Sequence, residues 1–108
     1  MRERLEIIKK RYAELNTLIA DPKVVAQRDE WQKLVKEHSV IEPVALQYEE
    51  LLQTELSMED CKLYMGSEDR ELAGIAEEEF YSFRDKRDGI EAELKVALLP
   101  KDPLDDKN

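Results

Sequence analysis

The side chains able to do chemistry in this sequence are few, and they do not converge. His38 is the only histidine and Cys61 the only cysteine. His38 falls on an apolar helical stripe between Leu34 and Ile41. That position marks a packed or partly exposed core histidine, because a general base would need an oriented partner and a substrate pocket, and neither is signalled. Cys61 follows Glu59 and Asp60. Nearby carboxylates disfavour a thiolate, so it is read as a helix-face residue and not as a nucleophile. Glu77, Glu78 and Glu79 are consecutive, and consecutive side chains on a helix diverge too far to share one metal ion. They read as a solvated acidic face, as does the pair Asp105 and Asp106. Lys9, Lys10 and Arg11 form a small basic cluster that could touch phosphate, but Tyr12 beside them belongs to an apolar stripe, and solvated charges explain the cluster. No glycine-rich phosphate loop, Gly-x-Ser-x-Gly, His-Glu-x-x-His or calcium-loop spacing occurs. The residues therefore predict no catalytic centre, no metal and no cofactor.

Composition bounds what else is possible. The 108 residues carry a net charge of −9, with 40% charged and 42% apolar side chains. That length suits one small domain burying roughly 65% of its unfolded surface. No apolar run approaches the ~18 residues a membrane span needs, and the charged start Met1-Arg2-Glu3-Arg4 does not read as a signal peptide. A single cysteine excludes an internal disulfide, and the expectation is a cytoplasmic protein. The charge is uneven. Residues 1–40 hold 9 basic and 7 acidic side chains, whereas residues 41–108 hold 8 and 19. The second part repels phosphate backbones, which argues against direct nucleic-acid reading and favours a basic protein partner.

The elements that position these residues read as helices. Leu5, Ile8, Tyr12, Leu15 and Ile19 recur at helical spacing and predict a helix from about Arg2 to Ala20, closed by Asp21-Pro22. The same pair can start a short turn over Lys23–Ala26, with Asp21 as its cap. A second helix is expected from about Asp29, with Asp29 and Gln32 as a capping box. Its stripe of Trp31, Leu34, His38, Ile41, Ala45, Tyr48 and Leu52 keeps phase across Pro43. One long helix kinked at Pro43 and reaching about Tyr64 is therefore expected, with two separate helices as the alternative. Gly66 is placed as the C-cap and Ser67 as the next N-cap. The third helix carries Ala76, Phe83, Ile90 and Ala97 seven apart, flanked by Leu72, Phe80, Leu94 and Leu98. It should end at Leu99-Pro100. The fold class predicted is all-α: an elongated antiparallel three-helix bundle built on a long, coiled-coil-like helical hairpin. Residues 1–99 form the helical domain and residues 100–108 a polar linker. Tyr64, near the hairpin tip, and Tyr81, off the seam, are the aromatic residues best placed for exposed contacts.

The closing run Leu98-Leu99-Pro100-Lys101-Asp102-Pro103-Leu104-Asp105-Asp106-Lys107-Asn108 resembles the segment that ends the N-terminal helical domain of bacterial class I peptide chain release factors, of the type reading UAA and UAG. Leu5 through Asp21-Pro22 is similar to the first helix of that family. Ile41-Glu42-Pro43-Val44 is similar to its Leu-Glu-Pro element, and Asp69 through Glu79 to its Leu-x-x-Leu-Ala-x-x-Glu stretch. The resemblance implies translation termination as the role of the full factor. It implies a linker toward a central domain beyond Asn108. The Pro-x-Thr decoding motif and the Gly-Gly-Gln hydrolysis motif of the family do not occur here, so no decoding or catalytic residue carries over and this chain is not expected to be an enzyme. What remains is docking on the ribosome, at the stalk base of the large subunit, and an association with the methyltransferase that modifies the catalytic glutamine.

Together these readings place the contact surface on the acidic third helix and the tip between the long helices. The candidate residues are Tyr64, Glu68, Asp69, Arg70, Glu77, Glu78, Glu79 and Tyr81, facing a basic ribosomal protein. Two other classes compete. A generic acidic coiled-coil adapter would dimerise through the seam of Ala76, Phe83, Ile90 and Ala97. An RNA-binding helical arm would need a basic stripe along the hairpin, and this hairpin is acidic.

Overall fold

The computed structural model describes residues 1–99 and contains four helices: α1 (Arg2–Ala20), α2 (Pro22–Val25), α3 (Arg28–Met65) and α4 (Arg70–Ala97). No strand occurs among the described residues, so the all-α class holds. The expected linker, 100–108, lies outside the described residues.

The helix boundaries follow local chemistry. Asp21 is extended, at φ −78° and ψ 120°, because the ring of Pro22 disfavours the α region for the residue before it. Its carboxylate then accepts from the Lys23 amide at 2.9 Å and caps α2. α3 begins at Arg28, one residue before the expected cap. Asp29 and Glu30 instead sit in its first turn, where their charge meets the positive end of the helix dipole.

α3 runs through Pro43 as one helix of 38 residues, which decides between the two alternatives. Pro43 has no amide to offer the carbonyl of Ser39. Both residues lie on the exposed side, so solvent can meet the freed carbonyl while Ala45 and Tyr48 stay buried. The apolar phase thus outweighs the local breaker.

The turn after α3 departs from expectation. No described glycine adopts positive φ, so Gly66 is not a left-handed cap; the Ser67 amide instead donates to the Tyr64 carbonyl at 3.0 Å. Ser67 is not the N-cap of α4 either. Its hydroxyl accepts from the Asp69 amide at 3.1 Å, and Asp69 caps the helix by accepting from the amides of Glu71 at 3.1 Å and Leu72 at 3.3 Å. The Asp69 carboxylate, two residues later, takes the position assigned to serine. At the other end the helix stops at Ala97, with Leu98 as C-cap, two residues before Leu99.

The chain divides into two compact units, Met1–Gln53 and Thr54–Asn108. In the first, α1 lies antiparallel to the opening part of α3, and a ladder of polar contacts sets the register. From the start of α1 to its end, Tyr48 Oη donates to Glu6, Tyr12 Oη donates to Glu42 at 2.6 Å, and His38 Nε2 meets Asn16 at 2.7 Å. Trp31 Nε1 closes the series by donating to the Ile19 carbonyl at 3.1 Å. Arg11 clamps Glu37 with two bonds, Nε at 2.6 Å and Nη2 at 2.7 Å. The His38 and Tyr12 rings stack with centroids 4.8 Å apart, so His38 is packed, as its stripe position predicts. Leu5, Leu15, Ala45, Tyr48 and Leu51 are buried. Leu51, not the expected Leu52, is the fully buried one.

The phenol of Tyr12 is raised by its bond to Glu42, and that of Tyr48 by burial and then by Glu6. In the second unit Met58, Cys61, Ala76, Ile90, Leu94 and Leu98 are buried. Ala97, placed on the seam by the sequence, and Leu72, placed on its flank, are exposed. A straight helix drifts ~20° per heptad from a strict seven-residue repeat. By the end of α4 the buried line has moved onto Ile90, Leu94 and Leu98.

Three outcomes follow from these contacts. Pro43→Ala restores one backbone hydrogen bond without removing buried contacts, and should stabilise the chain by about 2 kcal/mol in urea titration. Asp69→Ala removes the α4 cap and should cost about 1 kcal/mol, lowering Tm by about 4–8 °C. Arg11 holds the Glu37 carboxyl below its usual range through their hydrogen bonds. The unfolded chain therefore binds a proton there at higher pH than the folded chain. That stabilisation is complete above the ordinary Glu value of about 4.3 and fades as pH falls through the lowered one. Glu37→Gln should thus lower Tm at pH 7, with the difference from wild type shrinking below pH ~4.

Candidate interaction surface

The turn 66–69 and the helix ends beside it carry half of the exposed candidates, Tyr64, Glu68, Asp69 and Arg70. Within the second unit α3 and α4 run in opposite directions. The exposed ring of Tyr64 on α3 and the side chain of Leu72 on α4 line one cleft. Its floor and walls continue with Ser57, Asp60 and Cys61 of α3, and with Ile75, Ala76, Glu79 and Phe83 of α4. The cleft measures about 390 Å³. Its origin lies in the pattern of α4. Leu72, Ile75, Ala76 and Phe83 span an apolar arc wider than one neighbouring helix segment covers. Ala76 is covered, while Leu72 remains 39% and Ile75 49% exposed.

The predicted contact residues do not all share this cleft. Tyr64 and Glu79 line it. Glu77 and Glu78 are exposed on the same turn of α4 but outside the lining. Glu68 and Arg70 are exposed at the tip. Asp69 is engaged in capping, so its first role is structural. Tyr81 is 44% exposed and lies outside the cleft. Its ring carries the Arg84 guanidinium 4.8 Å from the centroid and meets Phe80 edge-on at 5.7 Å. Lys62 Nζ stands 5.9 Å from the Phe80 centroid.

The electrostatics are one-sided. Between Ser57 and Phe83 there are eight carboxylate side chains against two basic ones. Cys61 sits at the base of the cleft, 6% exposed. Burial first, then Glu79 and Asp60, push its thiol up, which keeps it protonated and unreactive near neutral pH. No group of three or more potential metal ligands comes together among the described residues, and none of the described helices is long and apolar enough to cross a membrane.

Reading by stripe missed the cleft. It assigned Leu72 to the flank of the seam and passed over Ile75. The available signal was the breadth of the α4 apolar arc, which Ile75 extends beyond a single contact line.

The chain is similar to known proteins along its whole length. Residues 8–108 match the PCRF domain. Proteins named Peptide chain release factor 1 are 44% identical in Clostridium acetobutylicum and 41% identical in Acidobacterium capsulatum, each alignment covering 100% of this chain and 30% of the relative. The counterpart in Caldicellulosiruptor saccharolyticus is 35% identical, over 100% of this chain and 31% of the relative. The chain thus spans about a third of the length of the curated relatives it matches. No solved structure matches. With the match covering all but the first seven residues, the chain belongs to the PCRF domain family.

Proposed function

We propose that this chain is the N-terminal helical domain of a class I peptide chain release factor directing translation termination at UAA and UAG, and that it acts by docking on the ribosome. The observation that carries this reading is the 44% identity over the whole chain to a protein named Peptide chain release factor 1. Codon reading and peptidyl-tRNA hydrolysis belong to the remaining length of such a factor, since no Gly-Gly-Gln occurs in this chain. The chain itself is not an enzyme in this reading. Its setting is the cytoplasm, with no membrane involvement and no direct reading of nucleic acid by this domain.

The acidic face of α4 and the tip, with Tyr64, Glu68, Arg70, Glu77, Glu78, Glu79 and Tyr81 exposed, suit a basic ribosomal protein at the stalk base of the large subunit. Asp69 supports that surface by holding the start of α4. The methyltransferase that modifies the catalytic glutamine of release factors is a second proposed partner. Dimerisation through the α4 seam is less well supported, because Ala76 and Ile90 are buried within the chain itself.

Binding to ribosomes at rising salt tests the proposal. Affinity should fall between 50 and 300 mM salt, since exposed charges more than about a Debye length apart are screened there. Glu77→Lys, Glu78→Lys and Glu79→Lys combined should weaken binding about tenfold or more. Salt-insensitive binding, or binding unchanged by the triple reversal, would overturn the electrostatic reading.

A further inference from the structure

We propose that the cleft between α3 and α4 is a receptor for one amphipathic helix of a partner protein, apolar on the face that enters and lysine- or arginine-rich on its flanks. This deepens the docking reading above, and rests on it for the partner being a protein.

Three observations on this one surface carry the inference. The first is the apolar content of the cleft. Tyr64, Leu72 and Ile75 are 54%, 39% and 49% exposed, and all three line it. Large apolar side chains scattered singly need no explanation, but these converge on one concavity. The second is shape. Along α3 the lining runs from Ser57 to Tyr64, about two helical turns, or ~10 Å. A groove between two helix segments, ~10 Å long and about 390 Å³ in volume, accepts a few anchor side chains spaced at i, i+3 or i+4, and i+7.

The third observation is charge. Asp60 and Glu79 stand within the lining, and Glu68, Glu71 and Glu78 are exposed nearby, while Glu59 is paired with Lys62 at 3.3 Å. An apolar helix flanked by carboxylates would meet like charge at each of these positions, and a phosphate ligand would be repelled. A helix flanked by lysine or arginine would find complementary partners there, while its apolar side chains bury against Ile75 and Leu72. The apolar contacts would supply affinity and the rim would select the sign of the flanks.

The test uses the whole chain and a fluorescent 18-residue leucine–lysine amphipathic peptide. Two controls have a scrambled leucine–lysine order or glutamate in place of lysine. The amphipathic lysine peptide should bind at least about tenfold tighter than either control. Leu72→Gln with Ile75→Gln should weaken it about tenfold. Both positions are already partly exposed, so the variant should fold, and its Tm verifies this. Ile7→Gln, at an exposed position of the first unit, should change binding less than twofold.

Equal binding of the scrambled peptide, or unchanged affinity in the double variant, would overturn the proposal. So would sedimentation showing that a second copy of this chain fills the cleft and leaves on Ile75→Gln. Ribosome binding separates the two readings. If the double variant keeps full ribosome affinity while the triple charge reversal loses it, the docking reading stands and the cleft proposal falls. If the double variant loses peptide and ribosome binding together, the cleft proposal is upheld.

Discussion

The carboxylate of Asp69 accepts from the amides of Glu71 and Leu72, and at that point a chain leaving α3 has become α4 within four residues, 66–69. Helix starts leave several amides without intrahelical partners, so a chain reversing this sharply needs a side chain to supply the missing acceptor. Asp69 does so, and the Ser67 hydroxyl in turn accepts from the Asp69 amide. Everything in the second unit inherits its register from this turn. Tyr64 is brought beside Leu72, and Cys61 beside Ala76 and Glu79. A slip of one residue would rotate each α4 side chain by ~100° about the helix axis and dissolve the cleft.

The first unit solves its register differently. Its α1 and the opening part of α3 are joined by polar bonds reaching across the apolar seam. These include the two-bond clamp of Arg11 on Glu37 and the tyrosine hydroxyls on Glu6 and Glu42. Apolar contact alone tolerates sliding by one turn, because leucine and isoleucine are interchangeable in shape to first order. Hydrogen bonds with narrow geometry do not tolerate it. Leucines therefore supply the burial in this unit, and the Arg, Tyr, His and Trp side chains specify which leucine meets which.

Family membership and surface chemistry point to the same kind of role. The chain holds no convergent set of nucleophile, base and anion-stabilising groups among its described residues. What it presents instead is exposed charge and an apolar recess. Such surfaces suit recognition. The acidic sign argues for a protein partner even where the larger assembly is rich in nucleic acid.

The helices, their approximate limits, the packed state of His38 and the inertness of Cys61 were all legible in the order of residues, because periodicity and neighbouring charge are local properties. Continuity through Pro43 was legible too, since the apolar phase survives across it. The Ser67 assignment failed because two residues with capping side chains, two positions apart, compete, and only the turn geometry selects between them. The seam assignment of Ala97 failed because a seven-residue repeat slowly departs from the pitch of a straight helix. By itself the sequence determined that this protein is helical and acidic, as each of these rests on composition or on spacing within one segment. Only the tertiary structure decided that Leu72 and Ile75 stay partly uncovered beside Tyr64, because exposure depends on how much of an apolar arc the neighbouring helix can reach.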